Sequence, residues 1–249
     1  MRRLMRADLK RIAKRTSVIV IFVLMLILGC FTTIYDFTDS LVNGLKLVTA
    51  YMDSFAFSSF CFGLVILSRV YLDDFRAAIT SGVIGRGISR GKYVVVKFLD
   101  SVVLFFCMHL FLTLVVYATG RGMGAQLTPD ETRMFLLYFV TEVIGTAADI
   151  TIAALFLFLT GRAALCVFVY TALYLIAPLV VYFAQMSSLD MKYHFTRYYV
   201  IGMLNNSFTV SMFGEDVKGA LLFLLTALIY IGLPLFVSGA VFNKMEMEF

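Results

Sequence analysis

The chain has 249 residues, is 61% hydrophobic and only 15% charged, and has a mean hydropathy of +0.92. Soluble domains are roughly half apolar and about a quarter charged, so this composition excludes an ordinary soluble enzyme and points to a multi-pass membrane protein. The net charge of +5 gathers at the ends of apolar runs, which is a topology signal rather than a nucleic-acid-binding patch, and no nucleic acid is expected as a partner.

Met1–Arg15 is too basic and too periodic for a signal peptide, and no cleavage site follows the next apolar run. On a helical wheel Met1, Leu4, Met5, Leu9 and Ile12 share one side, while Arg2, Arg3, Arg6, Lys10, Arg11, Lys14 and Arg15 cover the rest. This predicts an amphipathic helix over 1–15 lying in the headgroup plane, with its cations toward anionic lipid. The alternative is a basic tail that only sets topology.

Six apolar spans follow: Thr16–Tyr35, Leu45–Ser68, Phe98–Thr119, Arg133–Leu159, Ala163–Gln185 and Lys218–Val241. Each is long enough to cross a hydrocarbon core of about 30 Å at about 1.5 Å per residue. With the N-terminus inside, the inner segments hold 15 of the 21 Lys and Arg residues and the outer segments hold 6. That bias predicts cytoplasmic N- and C-termini. Thr160-Gly161-Arg162 is a minimal hairpin that makes the fourth and fifth spans neighbours. The long outer segment 187–217 has an apolar middle too short to span, open to reading as re-entrant helices or as a surface loop. Pro178 and Pro234 fall inside the last two spans and free a backbone carbonyl in each. The four cysteines lie in apolar runs without metal-ligand spacing and read as small buried hydrophobes.

The one long polar insertion on the inner side is 69–97, RVYLDDFRAAITSGVIGRGISRGKYVVVK. Asp73 or Asp74 can cap a short helix, and Val83 and Ile84 lie on its apolar side. Gly85 and Gly87 end that helix, and Lys92 and Lys97 start the next span where their stems can snorkel to phosphates. Arg90 can bond helix-end carbonyls or a partner's carboxylate. Asp74-Phe75-Arg76, then Gly87-Ile88-Ser89-Arg90 thirteen residues after the acid, then Lys92 and Lys97, resembles the loop after the second span of ABC type-2 transporter permeases. One position departs: the family often has a Gly-Thr or Gly-Ser pair early in this helix, where Ala78-Ile79 stand here.

The resemblance implies an all-α permease with an N-terminal elbow helix, six transmembrane helices and a cytoplasmic coupling helix in 69–97. It implies ATPase coupling through Asp74, Val83, Ile84, Gly87, Ser89, Arg90 and Lys97. It also implies a separate ATP-binding subunit that holds ATP and Mg, and a second permease, identical or paralogous. The expected location is a bacterial cell membrane. The expected activity is outward movement of a hydrophobic or amphipathic substrate: a peptide such as a lantibiotic, a drug or a lipid.

No enzyme constellation is visible, and no catalytic, cofactor or metal site is expected in this chain. Gly87 and Gly91 enclose three residues, Gly85 and Gly91 enclose five, and Tyr93 follows Lys92, so the Walker A spacing fails. Within the spans, Glu142 and Asp149 are seven apart on nearly one helix face, and His109 lies at a depth where it can reach either. A mid-bilayer carboxylate costs about 2.5–3.5 kcal/mol on insertion scales and must face protein or water. Structural pairing and a substrate or proton path both remain open for this group. Asp53 is shallower and reads as an outer-mouth residue. Two rival functions stand beside export: a non-transporting sensor or scaffold using the same loop, and a proton-coupled carrier with Glu142, Asp149 and His109 as its relay.

Overall fold

The computed structural model describes residues 2–38, 44–76, 84–85, 87–176, 179–180, 183 and 217–244. Those residues are helices and their connections, and five helices are long and apolar enough to cross a bilayer. The protein is a helical membrane protein. Its elements are α1 (Arg2–Ala13), α2 (Thr16–Thr38), α3 (Gly44–Ile66), α4 (Arg90–Gly122), α5 (Pro129–Thr160), α6 (Ala163–Thr171) and α7 (Val217–Lys244). α2, α5 and α7 begin and end close to the expected spans, α4 begins at Arg90 rather than at the expected Phe98, and α3 continues past its expected end at Ser68. The fifth expected span, Ala163–Gln185, lies partly outside the described residues, and its described portion is α6 followed by π-helical turns over Ala172–Ile176. Val83, Pro178 and 187–216 lie wholly outside them.

α5 has the clearest local specification. Thr128 accepts from the Glu131 amide, Glu131 reaches back to the Thr128 amide, and Pro129 follows the cap. Gly161 closes the helix with φ 66, a left-handed conformation open to glycine at little cost. The hairpin to α6 therefore turns sharply, and α5 and α6 pack as neighbours.

α3 and α5 form the centre of the bundle and are largely buried, whereas α2 and α7 turn most of their surface outward. Aromatic rings join α3 to α5: Tyr51 stacks on Phe135 at 4.0 Å, and Phe55 meets Tyr138 edge-on at 5.8 Å. Short polar links stitch the other neighbours, Thr32 to Ser54 at 2.6 Å between α2 and α3, and Tyr51 to Thr113 at 2.9 Å between α3 and α4. Hydroxyls serve well here because lipid offers them no competing partner. The outer faces of α2 and α7 expose Ile19, Leu24, Ile27, Leu228, Leu233 and Phe236, as a lipid solvent requires.

α3 departs from the expected boundary. Instead of stopping before Asp73, it continues through π-helical turns, Leu67–Leu72, into a final α-turn, Asp73–Arg76. The carboxylates of Asp73 and Asp74 therefore extend the second span rather than cap a separate helix. Arg69 pairs with Asp73 at 2.9 Å on the half-exposed side, and Asp74 turns inward.

Candidate functional site

Asp74 and Lys97 meet a third partner that the loop sequence does not contain. The Lys97 ammonium lies 2.5 Å from Asp74 and 2.7 Å from Asp8, and Arg11 lies 2.6 Å from Asp74 and 3.4 Å from Asp8. Two cations and two carboxylates thus alternate around a closed, neutral ring joining α1, the end of α3 and the start of α4. The Tyr93 hydroxyl donates to Asp74 at 3.4 Å, and its ring lies 5.4 Å from the Lys97 ammonium. The side chains of Asp74 and Lys97 are each only 1% exposed. Isolated, such buried ions would cost several kcal/mol apiece, so each depends on the ring for its counter-charge. At Arg11 burial works against the charged form, but the hydrogen bond and charge of Asp74, then the charge of Asp8, outweigh it and raise the guanidinium above its usual range.

The far end of the loop is fastened to the last helix. Arg90 donates to the carbonyls of Phe242 at 2.9 Å and Asn243 at 3.1 Å, where the end of α7 carries unsatisfied acceptors and partial negative charge. Its guanidinium also lies 5.8 Å from the Phe242 ring. Of the two partners open to Arg90 in the sequence, the structure supplies the helix-end carbonyls. Phe242 in turn packs against Phe158 of α5 at 5.2 Å and Phe75 at 6.2 Å. One end of the bundle thus gathers α1, both flanks of the 69–97 loop, and the ends of α5 and α7.

Between these anchors, Ile84 is half-buried and packs against the core, and its carbonyl accepts from the Gly87 amide at 2.9 Å. Gly87 turns at φ 86, exposed. Ser89, also exposed, precedes α4, and its carbonyl takes the Tyr93 amide at 3.0 Å. Lys97 does not snorkel to solvent: its long stem and charge are enclosed by protein. α1 shows the same difference. Ile12 enters the protein core and Asp8 pairs with Lys97, so at these positions the inward side of α1 faces the bundle, while Arg6, Lys10 and Lys14 remain exposed.

A second polar group lies in the middle of the membrane. His109 Nε2 is 3.3 Å from the Ser59 hydroxyl, and the imidazole is caged by Phe55, Phe105 and Phe62 at 4.0, 4.2 and 5.0 Å. Ser59 also interacts with Glu142, to which the Tyr174 hydroxyl donates at 3.3 Å. Tyr170 donates to the Ser59 carbonyl at 3.1 Å. That contact requires Gly63, because a methyl group there would run into the Tyr170 phenol. Asp149 is buried and senses the charge of Glu142, but its Oδ1 has no hydrogen-bond partner among the described residues. Asp53 is exposed and far along α3 from this group, and Asp36 shares its end of the bundle.

The structure therefore joins His109 to Glu142 through Ser59, a bridge the sequence reading missed, along with Tyr170 and Tyr174. The two tyrosines stand four apart on one face of the fifth apolar run, a signal that was available. Asp8 was hidden in a segment read for its cations. Asp100, buried with both oxygens unpartnered among the described residues and one turn from Lys97, sat inside the apolar span read over Phe98–Thr119. No protein-family model matches the chain, and no curated protein matches it.

Proposed function

We propose that this chain is the membrane-spanning permease subunit of an ATP-driven ABC type-2 exporter, with 69–97 as the loop that receives a separate ATP-binding subunit. The observation that carries the reading is the anchoring of that loop on both flanks. A partner pressing on a loosely hinged loop would move only the loop. A partner pressing on this one acts on α1 and α4 through the ion ring, and on α5 and α7 through Arg90 and Phe242. Rigid-body movement of spans is the response such anchoring favours.

Six crossings are supported by parity. The ends of α3, α5 and α7 and the start of α4 share one end of the bundle. The chain between Ala163 and Val217 has to return to the opposite end before α7 can run back. On this reading α1 is the elbow helix, its exposed Arg6, Lys10 and Lys14 facing anionic lipid, and both termini are cytoplasmic. A second permease completes the path, and the substrate is hydrophobic or amphipathic: a peptide such as a lantibiotic, a drug or a lipid.

Purification of the full chain from its native membrane in mild detergent, with identification of the chains that accompany it, tests this. A co-purifying protein with Walker motifs is expected, and its recovery should fall at least tenfold with Val83→Asp. Val83 is the cleaner substitution because Ile84 already contributes to the permease's own core. Recovery of the wild-type chain without any ATP-binding protein overturns the reading and favours a sensor or scaffold.

A further inference from the structure

We propose that Glu142 and Asp149, with Ser59, His109 and the Tyr170–Tyr174 pair, form a proton-binding centre that holds at least one exchangeable proton while α3, α4, α5 and α6 are closed around it. This does not rest on the export reading. It starts from a charge count. Glu142 and Asp149 project from one face of α5, both buried, and the only lysines and arginines in the apolar spans, Lys46, Arg133 and Lys218, stand at the ends of those spans, turns away from the pair. Two like charges enclosed in hydrocarbon without a counter-ion repel each other and lose their hydration together, so the pair binds a cation or breaks open to water.

The unpartnered atoms show which cation fits. Asp149 Oδ1 and His109 Nδ1 are buried without a hydrogen-bond partner among the described residues. A proton on Asp149 turns one carboxyl oxygen into a donor and removes one of the two charges. A metal ion needs more oxygen or nitrogen donors than the site gathers, and among the described residues no three His, Cys, Asp or Glu side chains converge to hold one. The close packing of the rings around His109 and Ser59 leaves a proton as the fitting occupant. The chain from His109 through Ser59 to Glu142 and Tyr174 also links exchangeable groups from four helices.

Among the described residues, the other titratable groups around α5 do not supply the missing positive charge. α3 brings Cys61, Tyr51 and, further along, Asp53; α4 brings His109; α6 brings Cys166 and Tyr170; and the π-helical turns after α6 bring Tyr174. α5 itself adds Tyr138, and the described apolar part of α7 adds Tyr230. His109 is the one basic group among them, and its ring sits within three phenylalanines, joined to the carboxylates only through Ser59.

Infrared difference spectroscopy of the purified full chain decides the matter, because a protonated carboxyl has a C=O stretch that an ionised one lacks. Wild-type protein at neutral pH should show this band, and it should shift on exchange into heavy water. Glu142→Gln with Asp149→Asn should remove most of it, whereas Asp100→Asn should leave the greater part. Loss of the wild-type band already at mildly acidic pH overturns the proposal and requires no variant to fold. Retention of the full band in the double variant also overturns it, by assigning the proton elsewhere.

Discussion

The protein buries ionisable side chains in two places and treats them in opposite ways. At the loop end, Asp8, Arg11, Asp74 and Lys97 alternate in a ring where every charge touches two of opposite sign. In mid-membrane, Glu142 has the Ser59 and Tyr174 hydroxyls and Asp149 senses the charge of Glu142, but neither meets a cation among the described residues. The ring can remain ionised without water, so it serves as a fixed joint. The mid-membrane pair changes its energy whenever its protonation, hydration or surroundings change, so it is suited to a part that responds. Burial alone does not distinguish the groups, since Asp74 and Lys97 are as enclosed as Glu142 and Asp149; the counter-charge does.

Breaking the ring should have the largest effect. Lys97→Met leaves Arg11 as the one cation of the ring for both Asp8 and Asp74, and losing one partner of a buried ion pair costs about 3–5 kcal/mol. A large drop in the thermal midpoint in detergent is expected, together with easier proteolysis of α1. Adding Asp74→Leu should recover much of the loss, because replacing a buried pair by apolar groups is often neutral. A Lys97→Met protein as heat-stable as wild type would remove the ring from the joint assigned to it.

Packing around the mid-membrane group comes next. Gly63→Ala places a methyl group in the Tyr170 phenol and should cost about 1–3 kcal/mol as an overpacked core position. Tyr170→Phe in the same background, by removing the phenol oxygen that the methyl meets, should restore part of the stability. If Gly63→Ala melts like wild type, Tyr170 has room to move and its bond to Ser59 is not a constraint.

Asp149→Asn sharpens the contrast from the other side. The substitution keeps the shape and removes the titratable carboxyl, and since Oδ1 has no donor to lose among the described residues, the change should stay within about 1 kcal/mol in either direction. The same exchange at Asp74 removes a charge on which Arg11 and Lys97 both depend, and should cost several times more. Comparable melting shifts for the two variants would erase the distinction between the regions.

Local chemistry was legible in the sequence, and long-range pairing was not. The apolar run lengths located α2 and α5 closely, Gly161 marked the end of α5 as part of a hairpin, and α4 begins at Arg90, well before the expected Phe98. The loop 69–97 declared itself as polar and structured, and Gly87 and Arg90 do what turn glycines and helix-end arginines do. What could not be read is that Asp74 answers to Arg11, 63 residues earlier, and Lys97 to Asp8, 89 residues earlier. A lysine at a span end looks the same whether it snorkels to lipid or turns inward, and only the docking of α1 decides. The continuation of α3 through π-helical turns was hidden for a similar reason: Val70, Tyr71 and Leu72 are buried there against neighbours the local sequence does not name.

The smallest effect and the most specific one belong to Arg90. Its guanidinium reaches two successive carbonyls at the end of α7 while lying against Phe242, a geometry that a planar fork can satisfy and a single ammonium cannot. Arg90→Lys preserves the charge near the negative end of the helix and forfeits at least one hydrogen bond, a loss of about 1 kcal/mol. Global stability should hardly change, because the ion ring and the Phe75–Phe158–Phe242 packing remain. The loop and the last helix should nevertheless move apart more freely. Spin labels at Lys92 and Lys244, both exposed, should report a broader distance distribution in Arg90→Lys than in wild type. If the partner ATPase drives transport through this joint, hydrolysis should persist in the variant while transport per ATP falls. An unchanged distance distribution would mean that the aromatic contacts alone fasten the loop to α7, and that the arginine only neutralises the end of the helix.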